Sequence, residues 1–326
     1  FIFLVARLTM LTDDPIVLAY PQYLPTPDEV SMAMELLSQP DWADTKEALE
    51  GFAIAGSVES AVRRFCWQAR QENKFGKMCA EGALGWANDA VKARQRLGMD
   101  RIFEGVFSQE FRELYTSTMP FSFHGIDNQG HPVYIVRYGS VKVEAFQTLW
   151  GMGEELQHAA GLDINAAALF HLRAMEYVTK VFMASESARQ GRVVDRLLCI
   201  VDMEGIKFEH WNASVKAFLK VTSAESTTLF PETLHATMVV NVPWIISKAI
   251  WPLGRSFLHP VTQAKISCFP RGQHKDKLRE FLDDSQIPPF LSGCCTCDEC
   301  ASGELRGGSM FDWEMTLGRE DGDARD

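Results

Sequence analysis

Apolar positions are densest between residues 229 and 266 of the chain. The β-branched run at 238–240 predicts a buried strand. Asn241 and Pro243 are expected to end it, because proline has no N–H for a sheet ladder. Residues 244–258 then carry apolar side chains nearly all round a helix, yet a bilayer span needs about 20 such residues. Such a helix fits three environments: the protein core, a lid over an apolar cavity, or a membrane interface.

Strand-like and helical patterns alternate over residues 116–293. Strands are predicted at 121–124, 132–138, 196–202 and 264–269, and helices at 143–160, 165–189, 208–228 and 275–284. This alternation predicts an α/β fold in which helices cover a sheet. Further helices are predicted at 28–37, 41–50, 58–70, 77–96 and 100–115, after an extended proline-containing segment at 20–27.

Several motifs follow one another in a characteristic order. FPETL at 230–234 is followed by NVPW at 241–244 and by FLHPVTQAKI at 257–266, and DNQGHPVYIVRYG lies upstream at 127–139. These motifs resemble those of the CRAL-TRIO lipid-binding family, which includes the secretory phosphatidylinositol transfer proteins and the carriers of tocopherol and retinaldehyde. Ser256 and His259 depart from the proline and aspartate that are usual in the family.

The resemblance covers residues 60–300 and implies the CRAL-TRIO fold. In that fold a small N-terminal helical unit precedes a mixed β-sheet, which forms the floor of a hydrophobic lipid pocket closed by a gate helix. Four regions are therefore expected: an N-terminal extension of unknown role at 1–56, a helical unit at 57–115, the lipid-binding domain at 116–293, and a Cys-containing acidic tail at 294–326.

The resemblance implies a site for a lipid headgroup. Thr262 and Lys265 match positions that hold the headgroup phosphate in phosphatidylinositol-binding members, and Arg70 matches a third. A hydroxyl and two cations suit a phosphate, because hydrogen bonds to an ionised group are the strong ones. Without the family, the preferred interpretation would be that Thr262 caps a turn and that Lys265 is a solvated side chain.

The resemblance also implies a gate over the pocket. The expected gate residues are Glu232, Trp244, Ile250, Trp251 and Phe257. Glu232 follows Pro231, which is a favourable first residue of a helix. Glu232 therefore fits equally well as an acidic residue in a helical first turn, near the positive end of the helix dipole.

The positions that bind phosphatidylcholine in the family agree less well with this chain. They fall on Phe123, Tyr134, Met175, Leu197 and Cys199. A choline cation favours an aromatic cage, but one aromatic position is Met175, and Leu197 and Cys199 replace the two strand hydroxyls. We keep Phe123 and Tyr134 as lipid-binding candidates and expect choline lipids to bind poorly.

The charge and the cysteines narrow the class of protein. A net charge of −11 argues against a general nucleic-acid binder, because such proteins are usually basic. Cys66, Cys79, Cys199 and Cys268 have apolar neighbours, and buried free thiols are expected there. Free thiols, with no recognisable N-terminal signal, predict a reducing, cytoplasmic location, peripheral to membranes.

Motifs for catalysis do not appear in the sequence. It carries no GxSxG nucleophile elbow, Walker A loop, GxGxxG fingerprint or HExxH spacing. Asp202 and Glu204, at a predicted strand end, fit turn capping better than acid–base chemistry. We therefore predict that the protein is not an enzyme and has no cofactor.

The cysteine run near the C-terminus is the one metal candidate. Cys294, Cys295, Cys297 and Cys300 lie within seven residues. Structural zinc usually takes two well-separated pairs of ligands, and seven residues are too few to surround an ion comfortably. We predict reduced thiols in a local turn and no metal, with zinc as the less favoured alternative.

The preferred hypothesis is a carrier that exchanges phosphatidylinositol between membranes through a gated internal pocket. Its partners would be a phospholipid and, transiently, a membrane surface, while the sequence identifies no protein partner. Two alternatives stay open: a carrier of a small hydrophobic molecule such as a tocopherol or a retinoid, and a scaffold whose CRAL-TRIO module makes contacts without transfer.

Overall fold

The computed structural model describes residues 25–43, 45–69, 78–101, 107–244 and 265–307. The helices are α1 (Pro27–Leu37), α2 (Pro40–Ala43), α3 (Lys46–Leu49), α4 (Val58–Ala69), α5 (Ala83–Arg96), α6 (Gln109–Thr118), α7 (Val143–Ala160), α8 (Ala166–Tyr177), α9 (Met183–Gln190), α10 (Ala213–Leu229), α11 (Lys275–Phe281) and α12 (Asp298–Ser302). The strands are β1 (Phe121–Ile126), β2 (Pro132–Val136), β3 (Leu197–Asp202), β4 (Leu234–Val242) and β5 (Ile266–Pro270). Within these ranges, no helix combines the length and the apolar character that crossing a membrane requires.

The five strands form one mixed sheet in the order β1-β2-β3-β4-β5. β1 and β2 pair antiparallel, and β2 to β5 are parallel. Parallel neighbours need a crossover, which α7 to α9 supply between β2 and β3 and α10 supplies between β3 and β4. The hairpin closes at Asp127, whose Oδ1 accepts from the backbone N–H of Gln129 at 2.9 Å and of His131 at 2.8 Å. The predicted α/β fold is confirmed.

Both faces of the sheet are buried. On one face, which we call the inner face, Phe123 and Tyr134 share a core with helices α6 to α10. On the opposite, outer face, Ile135 and Ile200 pack in a second core with Leu278 of α11. Burial on both faces explains why β3 and β4 are continuous apolar runs rather than alternating ones.

Helices α1, α4 and α5 form a small helical unit with a core of its own. α1 begins at a capping box, in which the side chains of Thr26 and Glu29 each accept from the other residue's backbone N–H. α4 begins where the hydroxyl of Ser57 accepts from the backbone N–H of Ser60 at 3.1 Å. Both helices therefore begin at a residue whose side chain bonds to a backbone group three positions further along the chain.

Buried ion pairs join this helical unit to the rest of the protein. Arg94 of α5 makes a bidentate pair with Glu176 of α8, at 2.6 and 3.2 Å. Arg63 of α4 lies 3.5 Å from Asp195, and Ser60 donates to the same carboxylate at 2.9 Å. Burial alone would raise the pKa of Asp195, but neighbouring arginines hold it below its usual value.

Several helices differ from their predicted bounds. The helix expected at 77–96 begins at Ala83, and the helix expected at 100–115 is not continuous, because α6 begins at Gln109. Ser108 is extended there, and its hydroxyl caps the first turn. The segment expected as one helix at 41–50 divides into short helical turns, and the one at 165–189 contains a π-helical turn at Val178–Phe182.

The centre of the chain differs from prediction in two ways. No helix begins at Pro231, because a turn precedes β4 there. The prediction that Asn241 ends the strand is also wrong, since β4 continues to Val242. Asn241 has a φ of 54°, and its side-chain amide donates to Asp202 of β3 at 2.8 Å. Asparagine tolerates this left-handed conformation better than most residues, so β4 continues through this position, with a register shift against β5 between Val239 and Val242.

We expect Arg94→Met to lower the free energy of unfolding by about 3–5 kcal/mol, because it leaves Glu176 buried without its cation. The side chains of Arg94 and Glu176 are only 6 % and 3 % exposed. Arg96→Met is the matched control: Arg96 lies two residues along the same helix, and its pairs with Asp163 and Glu225 are at the surface, where such pairs contribute about 0–1 kcal/mol. Urea unfolding measures both, and equal losses would contradict the prediction.

Candidate functional site

One row of paired residues crosses all five strands on the inner face. Phe123 of β1 pairs with Tyr134 of β2, Tyr134 with Cys199 of β3, Cys199 with Thr237 of β4, and Thr237 with Ile266 of β5. Directly paired residues point to the same face of a sheet. None of the five is more than 7 % exposed. We call these five residues the floor row.

The floor row brings together the two lipid-binding candidates from the sequence. The rings of Phe123 and Tyr134 have centroids 5.3 Å apart, and Tyr177 of α8 lies 5.4 Å from Phe123. Burial raises the pKa of Tyr134 well above its ordinary value, so its phenol stays neutral. Cys199, a third choline-lipid position, lies in the same row. Of the remaining two, Leu197 belongs to the inner-face core and Met175 packs against it.

Thr237 is a floor-row residue that the sequence analysis missed. Its side chain is fully buried, and its Oγ1 has no hydrogen-bond partner within the part of the chain that the structure describes. A buried hydroxyl without a partner is unfavourable, so a ligand atom or a water molecule would complete its bonding. Strand alternation from Val239 would have placed Thr237 on the inner face, but threonine is common in strands and gives no signal by itself.

Lys265 and Glu232 form a buried ion pair. The Lys265 ammonium donates to a Glu232 carboxylate oxygen at 2.7 Å, and the two side chains are 6 % and 5 % exposed. Glu232 comes just before β4 and Lys265 just before β5, so the pair lies at the amino-terminal edge of two neighbouring parallel strands. Lys265 is therefore not a solvated side chain, and Glu232 is not in a helical first turn.

The backbone at Glu232 supports this pairing. Glu232 has a φ of 56°, in the left-handed region that non-glycine residues seldom occupy. Such a conformation costs about 1–3 kcal/mol and persists only where the surroundings hold it. The ion pair with Lys265 is one interaction that holds the Glu232 side chain in place.

The opposite edge of the sheet carries exposed aromatic residues. Trp244 follows β4 and is 69 % exposed, and Phe208 follows β3 and is 93 % exposed. Since β3 and β4 are parallel neighbours, both residues lie beyond the carboxyl edge. The other predicted headgroup and gate residues lie outside the described residues: Arg70, Ile250, Trp251, Thr262 and Phe257.

Among the residues that the structure describes, two groups of side chains have the geometry to hold a metal. Asp127, His131 and His235 form a buried group, in which His131 lies 3.0 Å from Asp127 and stacks on His235 at 4.1 Å. Burial and the neighbouring His131 lower the pKa of His235 to about 3, so its ring stays neutral. The second group joins the C-terminal cysteines to His124 of β1.

The remaining chemical candidates are structural. Asp202 caps the turn after β3, because its Oδ1 accepts from the backbone N–H of Glu204 at 2.9 Å, as the sequence predicted. Of the cysteines expected to be buried free thiols, all four are free, and Cys66 and Cys199 are buried. Cys79 and Cys268 are only half-buried.

Comparison with known proteins gives a consistent family. A family model described as CRAL/TRIO domain matches residues 116–293. The phosphatidylinositol/phosphatidylcholine transfer protein SFH14 of Arabidopsis thaliana is 28 % identical over 210 residues, which cover 64 % of this chain and 34 % of that protein. The SEC14 cytosolic factor of Kluyveromyces lactis is 25 % identical over 301 residues, covering 90 % of this chain and 91 % of that protein.

Solved structures agree on the fold. The crystal structure of Sfh5 matches with a TM-score of 0.59 at 13 % sequence identity, covering 92 % of this chain and 99 % of that chain. This similarity establishes the fold alone. The chain spans about a third of the length of the first curated relatives that it matches, with shares of 34 %, 38 % and 33 %.

We expect Lys265→Met and Glu232→Gln each to lower the free energy of unfolding. Lys265→Met should cost about 3–5 kcal/mol, because it removes the ammonium that pairs with the buried Glu232 carboxylate. The double variant should lose less than the sum of the two single losses, because the two side chains form one buried ion pair and their effects are coupled. Lys277→Met is the control, since Lys277 pairs with Glu280 at the surface. If the losses of unfolding free energy measured in urea were additive, the prediction that the two residues are coupled would be wrong.

Proposed function

Because the chain belongs to the CRAL/TRIO domain family, we propose that it carries one phospholipid in an internal pocket and exchanges it between membranes, with phosphatidylinositol favoured. The observation that carries this proposal is the floor row, an apolar line of side chains across all five strands. Acyl chains need such a surface, because each buried CH₂ contributes about 0.8 kcal/mol. Relatives named as phosphatidylinositol/phosphatidylcholine transfer proteins and as SEC14 cytosolic factor support it.

The headgroup part of the proposal assigns the phosphate to Lys265, Thr262 and Arg70. Lys265 stands at the amino-terminal edge of the sheet, beside the end of the floor row at Ile266. An ammonium has three N–H donors, so Lys265 can hold Glu232 and a phosphate oxygen together. Thr262 and Arg70 enter this assignment through the family motifs.

Selection against choline lipid follows from the floor row. Cys199 and Met175 occupy positions where the family has a hydroxyl and an aromatic ring, and neither supplies a partner for a phosphocholine group. The inner face offers Thr237 as a hydroxyl instead, three strands along the row from Phe123.

The membrane part of the proposal assigns contact to the carboxyl edge. Trp244 and Phe208 are two of the three large apolar residues that are exposed in the described part of the chain. Both residues follow parallel neighbouring strands; exposed large apolar side chains at one edge of a sheet suit an interaction surface, and aromatic rings favour the membrane–water interface. Trp244 also begins the segment that the family uses as a gate, so opening and membrane contact would occur at one edge.

A second candidate function is the transport of an uncharged hydrophobic molecule. The hydroxyl of Thr237, buried and without a partner among the described residues, favours it. A buried hydroxyl that still needs a partner suits a cargo with a small polar group, and the rest of the row, apart from the Tyr134 phenol, is apolar. The two candidates differ in whether a phosphate partner is needed, so a comparison of cargoes separates them.

In a vesicle transfer assay, we expect labelled phosphatidylinositol to move well and phosphatidylcholine poorly. Thr262→Ala should reduce phosphatidylinositol transfer while leaving labelled tocopherol unchanged. Lys265→Ala removes a charged hydrogen bond of about 1.5–3 kcal/mol, so it should weaken phosphatidylinositol binding about tenfold or more. Glu232→Gln breaks the same ion pair but keeps the cation, and is the matched control for Lys265→Ala.

The outcomes of this assay are distinct. Equal loss for every cargo in Lys265→Ala and in Glu232→Gln would mean that the ion pair serves the fold alone. Preferential loss of tocopherol transfer in Thr237→Val, with no effect of Thr262→Ala, would favour the uncharged cargo. A protein that moves no lipid and extracts none from vesicles would leave the scaffold hypothesis.

We expect Trp244→Asp to abolish lipid exchange and to weaken vesicle binding, because a carboxylate enters the hydrocarbon region only at a high cost. Met34→Asp is the control, since Met34 is also an exposed apolar residue, at 57 %, but lies in α1. Vesicle flotation and transfer are measured together, with circular dichroism to check folding. Equal effects of the two substitutions would argue against contact at the carboxyl edge.

A further inference from the structure

A cluster of one imidazole and three thiols lies beside β1, the first strand of the sheet. It consists of His124 of β1 and of Cys295, Cys297 and Cys300, and we call it the Cys₃His cluster. One ligand atom from each residue can be chosen so that all four atoms lie within 4.8 Å of one another. We propose that this cluster binds one Zn²⁺ ion as a closed, four-ligand structural site.

The distances fit a tetrahedral zinc ion. His124 Nδ1 lies 3.6 Å from Cys297 Sγ and 3.9 Å from Cys300 Sγ. With Zn–S near 2.3 Å and Zn–N near 2.0–2.1 Å, tetrahedral geometry puts a nitrogen and a sulfur ligand about 3.6 Å apart and two sulfurs about 3.8 Å apart. The side chains therefore need little movement to surround an ion.

The strand geometry explains why His124 points at the thiols. Phe123, its neighbour, faces the inner core, so strand alternation turns His124 towards the other face. The register of β1 against β2 shifts between Phe123 and Ile126, and Gly125 there has a φ of 71°. Such a bulge re-aims a side chain. The His124 side chain also makes a hydrogen bond with the backbone of Gln286, and a bond of this kind orients a metal-binding histidine.

The cysteine segment is fixed at the end that enters the cluster. The backbone N–H groups of Cys294 and Cys295 donate to the carbonyls of Asp284 and Ile287, both at 3.0 Å. Gly293 is required at this turn, because a Cβ there would lie 2.1 Å from the Ile287 carbonyl oxygen. These backbone contacts therefore set the direction in which Cys295 and the residues after it leave the turn.

The segment is also fixed beyond the cluster. The backbone N–H of Gly307 donates to the carbonyl of Phe121 in β1 at 2.7 Å. Arg137 donates to the carbonyl of Gly303 at 3.0 Å, and the hydroxyl of Ser122 donates to the carboxylate of Glu299. Residues 294–307 thus lie along the first strand, where an ion would bind both parts together.

The donor set selects the metal and its role. Three thiolates and one imidazole suit Zn²⁺, whereas Mg²⁺ and Ca²⁺ favour oxygen ligands. Four protein ligands leave no open coordination position, which is the arrangement of structural rather than catalytic zinc. Cys294 is adjacent in sequence but exposed and outside the cluster, so it provides a matched control.

The experiment measures metal bound to the purified full chain. Elemental analysis should find one zinc per chain, retained in Cys294→Ser and lost in Cys297→Ser and His124→Gln. Cys297 is exposed and His124 half-buried, so these variants should keep their circular dichroism spectra. Cobalt added to the metal-free protein should give thiolate charge-transfer and visible bands in the unmodified chain and in Cys294→Ser only.

Stability provides an independent readout that does not depend on lipid. Chelation should lower the melting temperature of the unmodified chain and of Cys294→Ser, because binding to the folded state alone stabilises it. It should leave Cys297→Ser unchanged. The proposal is overturned if the purified chain binds neither zinc nor cobalt, if Cys294→Ser loses metal as Cys297→Ser does, or if mass spectrometry finds a disulfide within the cluster.

Discussion

Parallel strands are stable where both faces of their sheet are covered. In this protein different elements cover the two faces. Helices α6 to α10 bury the inner face, whose paired side chains form the floor row. Helix α11 and the segment after it bury the outer face. Because the register places Phe123, Tyr134, Cys199, Thr237 and Ile266 in one line, covering the inner face also creates the apolar surface on which a lipid is proposed to lie.

Two buried ion pairs connect separate parts of this structure. The helical unit joins the sheet domain through Arg94–Glu176, and the edges of β4 and β5 are joined through Lys265–Glu232. A buried pair is not by itself strongly stabilising, but the loss of one partner is costly. A substitution of Lys265 therefore has two effects at once, because it removes an ion-pair partner from the fold and a binding partner from any bound phosphate. A comparison with Glu232→Gln resolves the two effects.

The first strand connects the proposed lipid and metal sites. Its residues alternate between faces, so Phe123 belongs to the floor row while His124 points towards the thiols of the Cys₃His cluster. An ion held there would fix the bulge in β1 and would therefore fix the end of the floor row. The two sites remain separable by experiment, since metal content and melting temperature can be measured without any lipid.

The sequence by itself determined the features that rest on neighbouring residues. Alternating patterns predicted the α/β fold, and Asp202 at a strand end predicted a capped turn, because turns and caps use contacts within a few residues. Only the tertiary structure determined which residues that are distant in sequence are in contact. Lys265 meets Glu232 across 33 positions, and Cys297 meets His124 across 173. Spacing within the cysteine run could not reveal a fourth ligand on β1, because chain packing brings the run to that strand.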